Sequence, residues 1–415
     1  MYNFAIAIYA FAVRLVSPFS KKAKKMLIGQ KETFAILKKK IDPNSMYVWI
    51  HAASLGEFEQ GRPLIERIKR EKPEYKILLT FFSPSGYEVR KDYQEADIVC
   101  YLPFDFRKNV TQFLNLTRPQ IAIFIKYEFW MNYLNQLRKR KIPTCIISTI
   151  FRPNQIFFRW YGRNYRQVLQ NFDWFFLQDA RSERLLKQLG IRDNTTVSGD
   201  TRFDRVYEIS QQNKDLPLID KFLNKTENSK DFALVAGSTW EKDEDILISY
   251  FNRHPEMKLI IAPHEFNKER LNQIISKITR PVVLYTQASE EEIEKADCLI
   301  IDCFGLLSTI YRYGEIAYIG GGFGVGIHNV LEAAVYGIPV IFGPNYSKFK
   351  EAADLVQVGG ATSISNEGKF SRRMTEFMTY ANYKQESGEK AGRYVFDNLG
   401  ATERIFNKIF LPTQD

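Results

Sequence analysis

The chain is poor in the residues that hold metals and disulfides, with four cysteines and four histidines in 415 residues. It has no C-x-x-C, no H-E-x-x-H and no His/Cys cluster. The spacing therefore offers neither a structural zinc site, nor a catalytic metal, nor a dithiol redox pair. Cys100, Cys145, Cys298 and Cys303 fall in or at the ends of β-rich runs, which suits reduced core thiols of a cytosol-facing protein. Acid is also short: 48 Asp and Glu stand against 58 Lys and Arg, a net charge of +10. Such a surplus either attracts an anionic partner (a membrane face, a phosphorylated substrate, nucleic acid) or is a Lys-rich solvated surface. Nucleic acid is the least favoured, because no zinc-finger spacing, helix-turn-helix or clustered basic helix accompanies the charge. Short-period repeats and low-complexity tracts are missing too.

Long apolar runs are absent except at the start. "YNFAIAIYAFAVRLVSPF" (2–19) is broken only by Asn3, Arg14 and small polar residues, and "KKAKK" (21–25) comes just after. The run is borderline for crossing a bilayer. It has no basic n-region and no small-x-small cleavage site, which argues against a cleaved signal peptide. Residues 1–25 therefore read as a hydrophobic membrane-anchor segment, either a short span or a helix lying in the interface, with the lysines on the cytoplasmic side. The alternative is an amphipathic helix docked on the protein's own domain.

Beyond it, short β-rich runs alternate with helix-period segments, the signature of parallel α/β architecture. The runs are 47–53, 75–82, 97–103, 121–126, 144–149, 174–179 and 195–200, then 232–238, 257–264, 282–287, 298–303, 316–322 and 338–344. The length also exceeds one ordinary core. The pattern predicts two Rossmann-like doubly wound domains, 26–204 and 231–395, facing each other across a cleft. Residues 205–230 form the linker, and a last helix, roughly 384–410, ends in a segment 396–415 that crosses back to the first domain.

Ligands of such sheets collect beyond the carboxyl ends of the strands. There, "YVWIHAASLGEFEQGRPLIERI" (47–68) runs from a strand through tiny residues into an amphipathic helix with Glu57 at its mouth. Ser54 is placed to cap that helix. The small residues leave room for a substrate beside a potential base. In the second half, "IAYIGGGFGVGIHNVLEAAVYGIPVIFGP" (316–344) ends a strand in three glycines and opens a helix near His328-Asn329 that runs to Gly337. Its free N–H groups and dipole suit a phosphate, glycines let an anion approach the backbone, and Glu332 lies where ribose hydroxyls would reach it. The loop fails G-x-G-x-x-G in every register, which argues against a dinucleotide cofactor. It is equally read as a tight turn with Glu332 on a helix surface. Three more strand-end turns aim at the same region: Ser238-Thr239, which can simply cap a helix, Pro263-His264, and Asp302-Cys303-Phe304-Gly305.

Taken together, "HAASLGEFEQGRPL", "KYEFW", "VSGDTRFD", "GSTWEKDED", "DCFGLLSTIY", "GGGFGVGIHNVLEAA" and "GIPVIFGP" resemble, in order and spacing, the 3-deoxy-D-manno-octulosonate (Kdo) transferases of lipopolysaccharide assembly. The resemblance runs over nearly the whole length and implies the GT-B glycosyltransferase fold. It implies CMP-Kdo as donor, a lipid A precursor as acceptor, inversion at the sugar carbon, no metal, no cofactor and a place at the cytoplasmic face of the inner membrane. Carried onto this chain, it makes Glu57 the general base. It assigns transition-state stabilisation to Lys126 and Arg202, and CMP binding to Pro263, His264, Phe304, Gly305, Leu306, Asn329, Val330, Leu331 and Glu332. Departures are visible. Arg202 stands where the common pattern has Lys. Lys126 stands where the pattern has the first of two acids, while the second survives as Glu128, so Lys126 is either a ligand of the Kdo carboxylate or half of an ordinary strand-end pair. Leu306 replaces an acid and Ile327 a glycine. The aromatic, basic stretch 148–166 either lines the acceptor site or is a packed connection. A GT-B enzyme using a UDP-sugar, and a nucleotide-sugar-binding protein without catalysis, are the alternatives.

Overall fold

The computed structural model describes residues 2–212, 215–224 and 231–411. The expected linker 205–230 and the end of the expected C-terminal segment lie partly outside these. The chain divides into two compact units: residues up to Arg205 together with those from Leu399 on, and Val206–Asn398.

The first unit is built on a seven-stranded parallel sheet: β1 (Met46–Ala52), β2 (Tyr75–Phe81), β3 (Ile98–Tyr101), β4 (Ile121–Ile125), β5 (Thr144–Thr149), β6 (Trp174–Leu177) and β7 (Thr195–Val197). Their order is β3-β2-β1-β4-β5-β6-β7. Parallel strands need helical crossovers, so both faces are covered and the strands are apolar on both sides. In β1 the alternation is plain: Tyr47 and Trp49 enter one core, Val48, Ile50 and Ala52 the other. The helix Ala401–Phe410 joins the second core through Ile405 and Phe406. It is tied down by Asp204, which accepts from the Gly400 and Thr402 amides at 2.7 and 2.6 Å. The single helix expected over 384–410 is two, Ala381–Asp397 and Ala401–Phe410. Gly400, at φ 92°, turns the chain between them.

The N-terminal segment is also two helices, α1 (Tyr2–Val16) and α2 (Lys21–Lys40). No single helix among the described residues is long and apolar enough to cross a membrane; these two pass that test only as a pair bent by 120°. The polar end of α1 is latched to its own unit. Tyr2 donates its hydroxyl to Asp105 at 2.5 Å and accepts from the Met131 amide at 3.2 Å, and Asn132 Nδ2 donates to Asn3 Oδ1 at 2.7 Å. Ile6 and Ala10 face inward, while Phe4, Ile8, Phe11 and Leu15 stay exposed.

The second unit repeats the plan with β8 (Ala233–Thr239), β9 (Lys258–Pro263), β10 (Val282–Leu284), β11 (Cys298–Ile300), β12 (Ile316–Ile319), β13 (Val340–Phe342) and β14 (Ala361–Ser363), all parallel, in the order β10-β11-β9-β8-β12-β13-β14. The sequence reading missed β14, an edge strand of three residues with no apolar run. All four cysteines are free; Cys303 lies beyond the end of β11 and is only half buried.

Candidate active site

Each sheet reverses its order of addition at one place, and there the crossovers on its two sides diverge and leave a crevice. In the first unit that place is between β1 and β4. Glu57 follows β1, in the first turn of α3 (Leu55–Glu71), and Lys126, Glu128 and Trp130 follow β4. Ser54 sits at the head of α3, yet its hydroxyl makes no cap. It donates instead to Glu57 Oε2 at 2.9 Å. The S-x-x-E spacing that builds a capping box has been turned to hold a carboxylate. Burial, then the Glu128 charge, pushes the Glu57 carboxyl above its usual range, while the Ser54 hydrogen bond and the charges of Lys126 and His51 pull it back. The adjoining Gly56 is exposed, and a Cβ placed on it would meet nothing within 4 Å, so the head of α3 is open there.

Glu128 is nearly buried and accepts from Trp130 Nε1 at 2.6 Å. Its same oxygen is 3.1 Å from Nε2 of the fully buried His51. The other ring nitrogen, Nδ1, faces the Thr80 carbonyl at 3.1 Å and the Thr80 hydroxyl at 2.9 Å. The Thr80 carbonyl only accepts, which suits a proton on Nδ1, and Nε2 also takes the Trp130 Nε1 donor at 3.2 Å. Lys126 adopts φ 70°, a left-handed conformation that costs a non-glycine residue about 1 kcal/mol or more. Its amide donates to the Ile147 carbonyl at 2.9 Å, and its ammonium stands 5.6 Å from the Tyr127 ring centre. Lys126 thus joins Glu57 in one charge cluster with Glu128 and His51. Arg202 is placed otherwise. At the start of the helix Thr201–Gln211 it is gripped by Asp200, through Nε at 2.9 Å and Nη2 at 2.7 Å.

In the second unit the reversal lies between β8 and β12. Trp240 follows β8 and the glycine-rich loop follows β12. The glycines are there mostly for backbone packing. A Cβ on Gly320 would come within 2.2 Å of the Ser238 carbonyl oxygen, and one on Gly322 within 2.6 Å of Gly343. Packing thus accounts for Gly320 and Gly322 without an anion. Asp243, fully buried, fixes the loop by accepting from the Gly321 amide and the Tyr318 hydroxyl, both at 2.8 Å.

The expected helix from Asn329 to Gly337 is only Leu331–Ala334. Tyr336 and Gly337 already bond three residues back, and Gly337 turns left-handed at φ 67°, ahead of Pro339. So short a helix has little dipole, and its Leu331 amide is taken by Asn329 Oδ1 at 3.2 Å. The Val330 and Leu331 side chains are wholly buried, leaving only their backbone to meet a ligand. Asn329 Nδ2 and Ser308 Oγ hold the Glu332 carboxylate at 3.0 and 3.2 Å.

Aromatic faces surround these groups. His264, past the buried Pro263 that ends β9, stacks on Trp240 at 4.6 Å and lies 4.6 Å from His328. Trp240 Nε1 donates to His328 Nε2 at 3.4 Å. Burial, then the neighbouring His264, lowers His328 to about 4, so it is a neutral ring and a proper acceptor at neutral pH. Phe304 is 85% exposed, its ring 4.5 Å from Phe266, next to Gly305 at φ 89° and Leu306 at the head of the helix Leu307–Ile310. Sequence reasoning gave no role to His51, Trp130 and Trp240. All three stood inside motifs it had singled out, but His51 meets Glu128 77 residues on and Trp130 79 residues on, and Trp240 meets His328 88 residues on.

Two Rossmann-like units in one chain, each with its crevice at the reversal of strand order, are the GT-B class of fold. The UDP-GlcNAc 2-epimerase of Neisseria meningitidis shares this fold with a TM-score of 0.62, at 14% identity, over 88% of this chain and 100% of that one. Residues 28–205 match the family described as 3-deoxy-D-manno-octulosonic-acid transferase (kdotransferase). The 3-deoxy-D-manno-octulosonic acid transferase of Aquifex aeolicus is 27% identical over 84% of this chain and 91% of its own length. That of Rickettsia bellii is 28% identical over 87% of each. Over most of its length the chain is thus related in sequence to the Kdo transferases.

Proposed function

We propose that this protein moves Kdo from CMP-Kdo to a hydroxyl of a lipid A precursor in lipopolysaccharide biosynthesis, with inversion at the anomeric carbon. The observation that carries the proposal is Glu57: a carboxyl raised by burial and oriented by Ser54, at a helix head left open at Gly56. A base raised toward neutrality takes a proton more readily in the transition state than an ordinary carboxylate. Glu57 removes the acceptor hydroxyl's proton as that oxygen bonds to the anomeric carbon. The bond from that carbon to the CMP phosphate oxygen breaks, and CMP leaves with the electron pair. Lys126, whose charge already acts on Glu57, is the cation we assign to the Kdo carboxylate.

On the donor side, Phe304 and the Trp240–His264–His328 stack offer flat faces to a base. Glu332, oriented by Asn329 and Ser308, offers its remaining lone pairs to ribose hydroxyls. The charge of the leaving phosphate falls to side chains, since the dipole of a four-residue helix is small. We place the protein at the cytoplasmic face of the inner membrane. The latched end of α1 supports a helix lying in the plane of the interface, its exposed apolar face in the lipid and Lys21, Lys22, Lys24 and Lys25 at the headgroups.

Mass spectrometry of a lipid A precursor incubated with the protein and freshly made CMP-Kdo tests the reading. The expected product carries one or more added Kdo units, with matching CMP release. Transfer from a UDP-sugar, with none from CMP-Kdo, would reject it.

A further inference from the structure

Between α1, the start of α2 and the loop after β2 is a cavity of about 320 Å³. Its walls are Tyr9, Val13, Met26 and Phe82, and Lys22 and Ser83 stand at its polar edge. Two observations connect it to Glu57. The Phe82 and Ser83 amides both donate to the Ala53 carbonyl, at 3.3 and 2.7 Å, and Ala53 precedes the serine that holds Glu57. The Phe82 ring has Tyr9 stacked at 6.1 Å and Trp130 at 4.7 Å, and Trp130 donates to Glu128. Two aromatic rings, Phe82 and then Trp130, thus link an apolar hollow to the carboxylate network. Lys22 is the α2 lysine at that edge, while Lys25 is paired with Glu88 at 2.8 Å.

We propose that this cavity seats a segment of an acyl chain of the lipid acceptor, so that the acceptor is held by its hydrocarbon as well as by its sugar. The inference rests on the lipid-acceptor reading above. Apolar walls reward each methylene taken from water or from the loose bilayer interface. Lys22 at the rim matches the phosphate of an anionic glycolipid, which a neutral lipid would leave unanswered. A chain anchored there fixes how far the headgroup reaches, and fixed position is itself a source of rate. The cavity opens beside α1, whose exposed apolar stripe gives a chain a path from the bilayer without crossing water.

Ala23 also lines the cavity and is small enough to be enlarged into it. The test compares kcat/KM for the acylated acceptor and for its deacylated, water-soluble counterpart, in the full-length protein and in Ala23→Trp. The expected result is a fall of about tenfold in the ratio of acylated to deacylated kcat/KM, equivalent to about 1.4 kcal/mol of lost discrimination. An unchanged ratio would overturn the proposal. A second readout does not depend on transfer. Phosphatidylglycerol vesicles carrying phosphatidic acid with a photoreactive diazirine in its acyl chain are irradiated with the protein. Label on peptides covering 20–26 and 82–84, lost in Ala23→Trp, supports the cavity. Label confined to the outer face of α1 shows general membrane contact and refutes it. If the wild-type chain transfers Kdo to neither acceptor, the proposed function falls, and the labelling still decides the cavity.

Discussion

Replacing Asp105 should release α1, and the cost can be worked out from its contacts. The carboxylate is wholly buried and takes three donors: the Tyr2 hydroxyl and the Asn132 amide on Oδ2, at 2.5 and 2.9 Å, and the Tyr133 amide on Oδ1 at 3.0 Å. The two amides open the helix Met131–Lys139, where no intrahelical acceptor exists for them. Asp105→Ala leaves all three donors unanswered. At about 1–3 kcal/mol for each buried unsatisfied group, and with partial relaxation, the loss is about 3–6 kcal/mol. Asp105→Asn keeps one accepting oxygen and turns an N–H₂ toward at least one donor, for about 2 kcal/mol. Tyr2→Phe removes the two hydrogen bonds of that hydroxyl, to Asp105 and from the Met131 amide, and costs about 1–2 kcal/mol. Urea unfolding gives the global values, and amide hydrogen exchange over residues 2–16 gives the local one. Exchange should rise in all three variants, and Tyr2→Phe should affect chiefly α1. If Asp105→Ala unfolds within 1 kcal/mol of wild type and α1 exchanges as before, the latch is not what holds the helix, and its in-plane placement loses its support.

Other outcomes follow from the two sites. Gly56→Leu puts a side chain into empty space at an ordinary backbone angle; it should fold as well as wild type or gain up to about 1 kcal/mol from helix propensity, yet lose transfer, and full activity would show that the space is not the substrate's. Ser54→Ala removes a contact that lowers the Glu57 carboxyl, so the acid limb of the pH profile of kcat/KM should move to higher pH. Glu128→Gln removes a charge that raises it, so the limb should move lower, and shifts of the same sign would refute the assigned causes. His328 is lowered from 6.5 to about 4 in the folded chain, so the unfolded chain binds the extra proton between those values. The stability tied to that ring is complete above 6.5 and is lost as pH falls toward 4; His328→Phe should flatten this part of the thermal stability profile, and an unchanged profile would contradict a neutral His328.

Much of the architecture could be read from the residues because parallel strands covered on both faces are continuous apolar runs. Val48-Trp49-Ile50 and Leu259-Ile260-Ile261 announce themselves, whereas Ala361–Ser363 does not. Most runs overshoot their strands at the carboxyl ends: 195–200 shrinks to Thr195–Val197, because Ser198 and Gly199 leave the ladder and both donate to the Leu177 carbonyl. Glu57 was legible as an acid at a helix mouth. Its surroundings were not, since His51, Glu128 and Trp130 meet only through the pairing of β1 with β4. Gly320 and Gly322 were ambiguous, because a glycine that lets an anion approach and one that lets a neighbouring backbone approach look alike in sequence. The stop after Ala334 was hidden for a related reason, as a four-residue helix carries no period to detect.

The most direct measurement is the rate of Kdo transfer by Glu57→Gln beside its affinity for CMP. The amide keeps the shape and an acceptor for the Ser54 hydroxyl but takes no proton. Transfer should fall by about 10²–10⁴, the usual worth of a general base, while calorimetric CMP binding stays as in the wild type. A variant that still transfers Kdo within about tenfold of the wild-type rate, too small a loss for a general base, would contradict the account.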